Sequence, residues 1–282
     1  MPELPEVEVL VRYLQQVLPG RRIRAVTVKR PKSVRPDSVA VFEQSLKGQS
    51  VVSVTRRAKY LIFELEQRSR KTQMLGHLGM TGRMYVQPKA DSLPKHTAAS
   101  FELDKGRFVF EDTRYFGRLS LCLELLAKLG PEPLSEAFNS SDFFRGLQRS
   151  RQAIKVRLLA SDLVVGVGNI YASEALFRAT IDPRIPSNKL TRAQAKRLHA
   201  AIQATLQEAI ALGSTLPLDW SGKEGRDQLF YFGRESGAKS NEERLLVYGR
   251  KGEPCHRCGA QIQRVVQAAR STFFCVRCQK TR

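Results

Sequence analysis

Four cysteines near the C-terminus constrain the fold of this chain more than any other feature. Cys255 and Cys258 form one C-x2-C pair, and Cys275 and Cys278 form a second pair after sixteen intervening residues. Two such pairs at this spacing are typical of a tetrahedral zinc site with four thiolate ligands. Because a closed shell of four sulfurs leaves no position for a substrate, we expect one structural zinc ion whose binding folds this part of the chain.

The charge of the chain points to a polyanionic partner. Its 282 residues include 47 Lys and Arg against 27 Asp and Glu, a net charge of +20. Such an excess attracts nucleic acid, with ribosome-like or membrane-surface basicity as the alternative. No apolar run approaches the roughly 18 residues that span a bilayer, and the N-terminus lacks a secretory signal. We therefore expect a protein that works inside the cell, at the nucleoid if bacterial, without a membrane partner.

The secondary-structure signals predict an α+β fold with strands and helices in separate domains. Apolar residues at helical spacing over residues 4–18 predict an opening amphipathic helix. The β-rich runs that follow predict an antiparallel sandwich or barrel, with a turn at Asp104-Lys105-Gly106. The predicted strands include Ile23 to Val28, Val51 to Val54, Tyr60 to Leu65, Phe101 to Leu103 and Phe108 to Phe110.

A break at residues 129–133 separates these strands from a helical region. Helices are predicted around residues 135–149, 152–163, 169–179 and 192–211, the last of them opened by a capping box from Thr191 to Gln194. A polar stretch over residues 217–246 predicts a long loop with a function or no structure at all.

The first residues offer an unusual nucleophile. Methionine before proline is normally removed, so we expect a mature chain that begins with the secondary amine of Pro2. An α-amino group has a pKa of about 8, far below that of a lysine, and an exposed, unprotonated one can attack a sugar carbon to form an iminium ion. Glu3 and Glu6 could move protons beside it. Proline and glutamate in a first helical turn are also what helix capping alone predicts, so the residues leave both interpretations open.

Seven segments in order along the chain resemble the formamidopyrimidine-DNA glycosylase and endonuclease VIII family, and the formamidopyrimidine branch most closely. The resemblance implies an N-terminal β-sandwich over 1–128, a linker and first helix over 129–150, a helix-two-turn-helix domain over 151–246 with a lesion-recognition loop at 213–246, and a zinc-ribbon finger over 247–282. The segments are MPELPEVE at 1–8, RAKY at 57–60, HLGM at 77–80, RYFG at 114–117, LGPEPL at 129–134, GVGNIY at 166–171 with EALF at 174–177, and RSTFFC at 270–275.

The resemblance also implies an activity. It indicates a monomeric base-excision-repair enzyme, a DNA glycosylase and AP lyase, which acts on duplex DNA with damaged bases or abasic sites. By this likeness Pro2 attacks C1′ of the damaged nucleotide through a Schiff base. Glu3 protonates the sugar ring oxygen and relays protons, and Glu6 supports that site. The products are a free base and a strand cut by successive β- and δ-elimination.

The same likeness assigns the DNA contacts. Lys59 corresponds to a lysine that contacts phosphate beside the lesion. Met80, Arg114 and Phe116 correspond to the side chains that fill the gap left by an everted base, which recovers part of the few kcal/mol that unstacking costs. The remaining phosphate contacts are His77, Lys155, Asn169 and Arg270. Taken singly, Met80 and Phe116 could be core residues, and Lys59 a solvated strand end.

Departures from the family pattern, among them Leu158-Leu-Ala-Ser161 in place of Leu-Leu-Asp-Gln, leave the substrate open. Asp112-Thr113-Arg114 stands where the family often has Asp-Pro-Arg, and the segment from Pro217 to residue 245 is unlike the common loop. We expect oxidised bases of the formamidopyrimidine and 8-oxoguanine type as substrates. The alternatives are an endonuclease VIII-like preference for oxidised pyrimidines or hydantoins, and a non-catalytic protein that binds damaged DNA.

Overall fold

The computed structural model describes residues 2–68, 70–213 and 245–280. These fall into two compact units, which we call the N-terminal unit, up to Lys128, and the C-terminal unit, with Leu129 to Gly213 and the described residues from 245 onward. The predicted lesion-recognition loop lies outside the described residues apart from its ends at 213, 245 and 246. Within the described ranges, no helix combines the length and apolar character needed to cross a membrane.

The N-terminal unit contains two antiparallel four-stranded sheets. Its elements are α1 Leu4–Val17, β1 Ile23–Val28, α2 Val39–Leu46, β2 Ser50–Arg57, β3 Tyr60–Gln67, β4 Arg70–His77, β5 Gly82–Gln87, β6 Thr97–Leu103, β7 Arg107–Asp112 and β8 Arg118–Ser120. The strand order is β1-β6-β7-β5 in one sheet and β2-β3-β4-β8 in the other.

One continuous apolar core joins both sheets of this unit to α1. The ring of Phe63 on β3 lies 5.5 Å from that of Phe108 on β7, so the two sheets face each other as a sandwich. Leu10 and Leu14 of α1 are buried in the same cluster. Each large side chain buried in this way contributes about 1.5–3 kcal/mol. The predicted opening helix and β-sandwich are confirmed, as is the turn at residues 104–106, where Gly106 adopts a φ of +78°.

The described part of the C-terminal unit contains helices and a β-hairpin. The predicted capping box opens its longest helix: Thr191 N donates to Gln194 Oε1 at 2.8 Å, and Gln194 N donates to Thr191 Oγ1 at 3.2 Å. The elements of the unit are α3 Ser140–Gln148, α4 Ile154–Leu158, α5 Asn169–Arg178, α6 Arg192–Gly213, β9 Gln263–Gln267 and β10 Arg270–Phe274.

The helix predicted over residues 152–163 is shorter than expected, because α4 ends at Leu158. Ser161 adopts a left-handed φ of +62°, and its carbonyl accepts a hydrogen bond from Gly130 N at 2.9 Å. A Cβ on Gly130 would lie 2.3 Å from the carbonyl oxygen of Asp162. The linker thus packs against the segment where the helix would have continued.

Candidate active site and nucleic-acid interface

The start of α1 places Pro2, Glu3 and Glu6 together inside the N-terminal unit. Glu3 is the N-cap residue, and its N–H donates to Glu6 Oε2 at 2.8 Å as part of a capping box. Glu3 and Glu6 expose only 1% and 4% of their surface. The helix-capping interpretation of these carboxylates is therefore correct, and it fixes both of them directly behind Pro2.

Pro2 is buried in the full-length chain, which still has Met1. The sequence instead predicts an exposed Pro2 nitrogen. The residue precedes the N-cap and packs at the buried start of α1. While Met1 is attached, the Pro2 nitrogen belongs to an amide, which is no nucleophile. Removal of Met1 converts it into a secondary amine.

Lys59 lies in the two-residue turn that connects β2 and β3. Arg57 pairs with Tyr60 across the turn, and Ala58 adopts a left-handed φ of +54°. Arg56 Nη1 donates to the carbonyl oxygen of Ala58 at 3.0 Å, which supports this conformation. The backbone of the turn that carries Lys59 is therefore held in one conformation.

His77 is the last residue of β4, paired with Tyr60 on β3. Burial, together with the positive charges of Lys59 and Arg118, lowers the pKa of His77 to about 4. The imidazole is therefore neutral at physiological pH. Gly79 N donates to its Nδ1 at 3.1 Å, so the ring proton resides on Nε2, which is a donor suited to a phosphate oxygen.

Two loops of the N-terminal unit bring the predicted gap-filling residues close together. Gly79 adopts a φ of +62°, and a Cβ on it would lie 2.5 Å from Gly117 N, so the loop with Met80 packs directly against the loop with Phe116. The guanidinium of Arg114 lies 4.8 Å from the centre of the Phe116 ring, and Phe116 is 53% exposed. An exposed ring with a stacked cation fits a wedge better than a core residue.

Asp112 organises the second of these loops and was given no role from the sequence. It is fully buried, and its carboxylate accepts from Arg114 N at 3.1 Å and from Gly117 N at 2.7 Å. The residue at position 113 takes no part in these hydrogen bonds, so they are present although Thr113 stands where the family often has proline. The aspartate at the start of the Asp-x-Arg segment is the sequence feature that could have indicated this role.

Lys155 and Asn169 meet inside the C-terminal unit. Lys155 is 1% exposed, and its Nζ donates to Asn169 Oδ1 at 2.6 Å, to the Ser271 carbonyl at 2.8 Å and to Thr272 Oγ1 at 2.9 Å. Three ammonium hydrogens thus face three protein acceptors. This geometry favours a positioning role for Lys155 over the predicted phosphate contact, whereas Asn169 is the first residue of α5, and a helix N-terminus suits an anion.

Glu174 is a second buried carboxylate that the sequence interpretation left without a role. Its oxygens accept from Leu246 N at 2.8 Å, Val247 N at 3.0 Å and Tyr248 N at 2.8 Å. Burial raises the pKa of Glu174, while these three donors act in the opposite direction. Glu174 therefore ties α5 to the segment that leads into the cysteine-containing part of the unit.

The four cysteines converge as their spacing predicts. All four Sγ atoms lie within 4.8 Å of one another, with Cys258 and Cys275 at 3.5 Å and Cys255 and Cys278 at 3.9 Å. A tetrahedron of thiolates about 2.3 Å from zinc has edges of roughly 3.8 Å. The donor set therefore fits one zinc ion, with Cys255, Cys258, Cys275 and Cys278 as its ligands.

Arg270 lies at the tip of the hairpin that we call the ribbon hairpin, β9 and β10. It pairs with Gln267 across a turn made by Ala268 and Ala269, and it is exposed. Arg264 Nε, on the neighbouring strand, donates to Ser271 Oγ at 3.0 Å. The hairpin thus presents an exposed guanidinium at its tip, as a phosphate contact requires.

A β-sandwich opened by a Pro-Glu helix, followed by a helical unit with a four-cysteine ribbon, defines a DNA glycosylase of the helix-two-turn-helix class. Models of the formamidopyrimidine-DNA glycosylase N-terminal domain and H2TH domain match residues 1–119 and 129–217, and a zinc finger found in FPG and IleRS matches 252–281. The chain is 40% identical to the formamidopyrimidine-DNA glycosylases of Desulfitobacterium hafniense and Thermus thermophilus, over 99% of its length and 100% and 98% of theirs.

Solved structures agree with these relatives. The chain is similar to the Lactococcus lactis enzyme bound to DNA that contains Fapy-dG, with a TM-score of 0.84 and 32% identity over 99% of this chain and 100% of that one. A structure of the same enzyme with DNA that contains an oxidised pyrimidine gives a TM-score of 0.85, also at 32% identity and the same coverage.

The chain belongs to the formamidopyrimidine-DNA glycosylase family. It is a base-excision-repair DNA glycosylase with DNA as its partner, and AP lyase activity is typical of its family. The predicted family, fold class, enzyme class and single structural zinc are confirmed.

Proposed function

We propose that this enzyme excises oxidised purines, of the formamidopyrimidine and 8-oxoguanine type, with Pro2 as nucleophile and Glu3 as acid and base. The observation that carries the proposal is the buried pair of carboxylates, Glu3 and Glu6, held by the capping box directly behind Pro2. A buried carboxyl group next to an amine can act as acid and base toward a bound substrate, from which water is excluded.

The reaction begins when the Pro2 nitrogen attacks C1′ of the everted nucleotide. The bond between C1′ and the base breaks, and the base leaves with the proton that the Pro2 nitrogen loses on attack. Glu3 donates a proton to the ring oxygen as the sugar opens, which yields an iminium between Pro2 and C1′. Loss of a proton from C2′ expels the 3′ phosphate, and a second elimination expels the 5′ phosphate. Water then releases the sugar fragment and regenerates the amine.

The other site residues hold the DNA. We infer that Lys59, the Nε2–H of His77, Asn169 and Arg270 contact phosphates, while Met80, Arg114 and Phe116 occupy the gap in the stack. Zinc stabilises the ribbon hairpin and takes no part in the chemistry. We also propose that the enzyme acts as a monomer within the cell, at the nucleoid in a bacterium.

Borohydride trapping tests the nucleophile. We expect a covalent adduct with duplex DNA that contains an abasic site or 8-oxoguanine, and its loss in Pro2→Gly or in any chain that keeps a residue before Pro2. Mass spectrometry should show that Met1 is absent from the trapped enzyme. Glu3→Gln should bind the same duplex normally but release no base. A wild-type enzyme that binds damaged DNA without a trapped adduct would identify a non-catalytic binding protein instead.

A preference for oxidised pyrimidines is the second candidate function. It is supported by the divergence of residues 217–245 from the family pattern and by the Lactococcus lactis relative solved with an oxidised pyrimidine. Single-turnover rates on matched duplexes with a formamidopyrimidine, 8-oxoguanine, an oxidised pyrimidine and a hydantoin distinguish the two. The proposal requires the purine lesions to be excised fastest.

A further inference from the structure

We propose that Arg56 is a positioning residue that couples helix α1, which begins at the nucleophile, to the turn that carries Lys59. The inference rests on the proposed function, because it concerns the two groups that act on the sugar and its phosphate. The effect of Arg56 would pass through Glu8 on one side and Ala58 on the other.

The contacts of Arg56 span the two elements. Its Nε donates to Glu8 Oε2 at 2.8 Å, and its Nη1 donates to the Ala58 carbonyl at 3.0 Å. Glu8 lies five residues after Glu3 on the same helix, and Ala58 directly precedes Lys59. One rigid guanidinium plane therefore fixes the distance from the catalytic helix to the hairpin turn.

Charge and burial make this link strong. The Arg56 side chain is only 11% exposed and that of Glu8 21%. Burial alone would raise the pKa of Glu8, but hydrogen bonds from Arg56 and Arg12 outweigh it and hold that pKa below its ordinary value. Glu8 is thus ionised at neutral pH, and a hydrogen bond between charged groups is roughly twice as strong as a neutral one.

The turn requires such support. Ala58 adopts a φ of +54°, a left-handed conformation that costs a residue with a side chain about 1–2 kcal/mol. A hydrogen bond to its carbonyl favours this conformation over the relaxed ones, in which Lys59 would point elsewhere. Displacement of a catalytic group by about 1 Å can reduce a rate roughly a hundredfold, so a small change in this turn is sufficient to affect catalysis.

Arg12 provides a matched comparison within the same cluster. It donates to the other oxygen of Glu8 at 3.0 Å, but its side chain is 53% exposed, and both residues lie on α1. This contact lies within one helix. Its loss would leave both hydrogen bonds of Arg56, to Glu8 and to Ala58, in place. The effect of losing Arg12 should therefore differ from that of losing Arg56, although both bind the same carboxylate.

The test uses Arg56→Lys and Glu8→Gln in the full-length, zinc-loaded enzyme. Lysine keeps the positive charge but lacks the planar fork that reaches two acceptors. We expect single-turnover base release and borohydride trapping to slow by about 10- to 100-fold. Affinity for an uncleavable abasic-site duplex should stay within about threefold of wild type, and Arg12→Gln should react at the wild-type rate.

A double-mutant cycle with Lys59→Ala separates positioning from general destabilisation. If Arg56 acts through the turn, Arg56→Lys has little further effect once Lys59 is absent. Equal reaction rates for Arg56→Lys and wild type, or an undiminished effect in the Lys59→Ala background, would overturn the proposal. A wild-type enzyme that forms no adduct would instead refute the proposed function, so the two failures are distinguishable.

Discussion

Different interactions stabilise the N-terminal unit and the cysteine-containing end of the C-terminal unit. The core of the first joins α1 with both sheets and includes large buried rings such as Phe42, Phe101 and Phe110. The apolar cluster at the ribbon is small, and two of its buried members, Cys255 and Cys275, are metal ligands. A short segment with so little apolar surface depends on the metal for its fold.

Loss of a zinc ligand should have the largest effect and should affect only one side of this comparison. Cys275→Ser removes a buried thiolate, and structural zinc sites provide about 10–16 kcal/mol of folding free energy. We expect amide hydrogen exchange to become fast over residues 252–280 and to stay slow in the β-sandwich. Cys122→Ser, on a partly exposed cysteine of the N-terminal unit, is the control. A loss of protection in both units would show that they fold as one.

Replacement of Lys155 should have the next largest effect, because it removes the buried donor shared by α5 and the ribbon hairpin. Lys155→Met leaves three acceptors without that donor, and each unsatisfied buried group costs about 1–3 kcal/mol. We expect the free energy of unfolding of the C-terminal unit to fall by about 4 kcal/mol. The measurement is urea-induced unfolding, monitored by amide hydrogen exchange in α5. Lys196→Met, on an exposed position of α6, should change stability by less than about 0.5 kcal/mol. Comparable losses in the two variants would contradict the role of the buried ammonium.

Acid should weaken the N-terminal unit through His77. The folded pKa of about 4 lies below the unfolded value of about 6.5, so between these values the unfolded chain binds more protons. The stability that depends on a neutral His77 ring is therefore fully present above about pH 6.5. It falls as the pH decreases toward 4, by at most about 3 kcal/mol. An NMR titration of the His77 ring gives its pKa directly, and His77→Gln should reduce the pH dependence of stability. A ring that titrates near 6.5 would exclude this account.

The parts that the sequence predicted are those with local signals. Cysteine spacing, the β-branched residues of β1 and the capping box at Thr191 each depend on neighbours within a few residues. Strand β4 was not among the strands named from the sequence, because it begins with the polar run Arg70 to Gln73. Its pairing with β3 on one side and β8 on the other makes it a strand. Asp112, Arg56 and Glu174 were missed for a related reason, since each acts through contacts that only the folded chain creates.

The smallest effect should come from the turn of the ribbon hairpin. Ala268 and Ala269 both adopt positive φ, 46° and 58°, in a two-residue connection of the kind that normally favours glycine or asparagine. Ala269→Gly removes the steric cost of a side chain there, partly offset by the greater freedom of glycine in the unfolded chain. We expect the ribbon hairpin to gain about 0.5–1 kcal/mol, measured as slower exchange in β9 and β10 and slower zinc loss to a chelator. Ala200→Gly, at an exposed position in the interior of α6, should have the opposite sign, because a helix interior favours alanine over glycine by about 1 kcal/mol. If Ala269→Gly leaves both rates unchanged while Cys275→Ser abolishes protection, the metal alone determines the stability of the ribbon, and the contrast with the apolar core of the N-terminal unit becomes sharper.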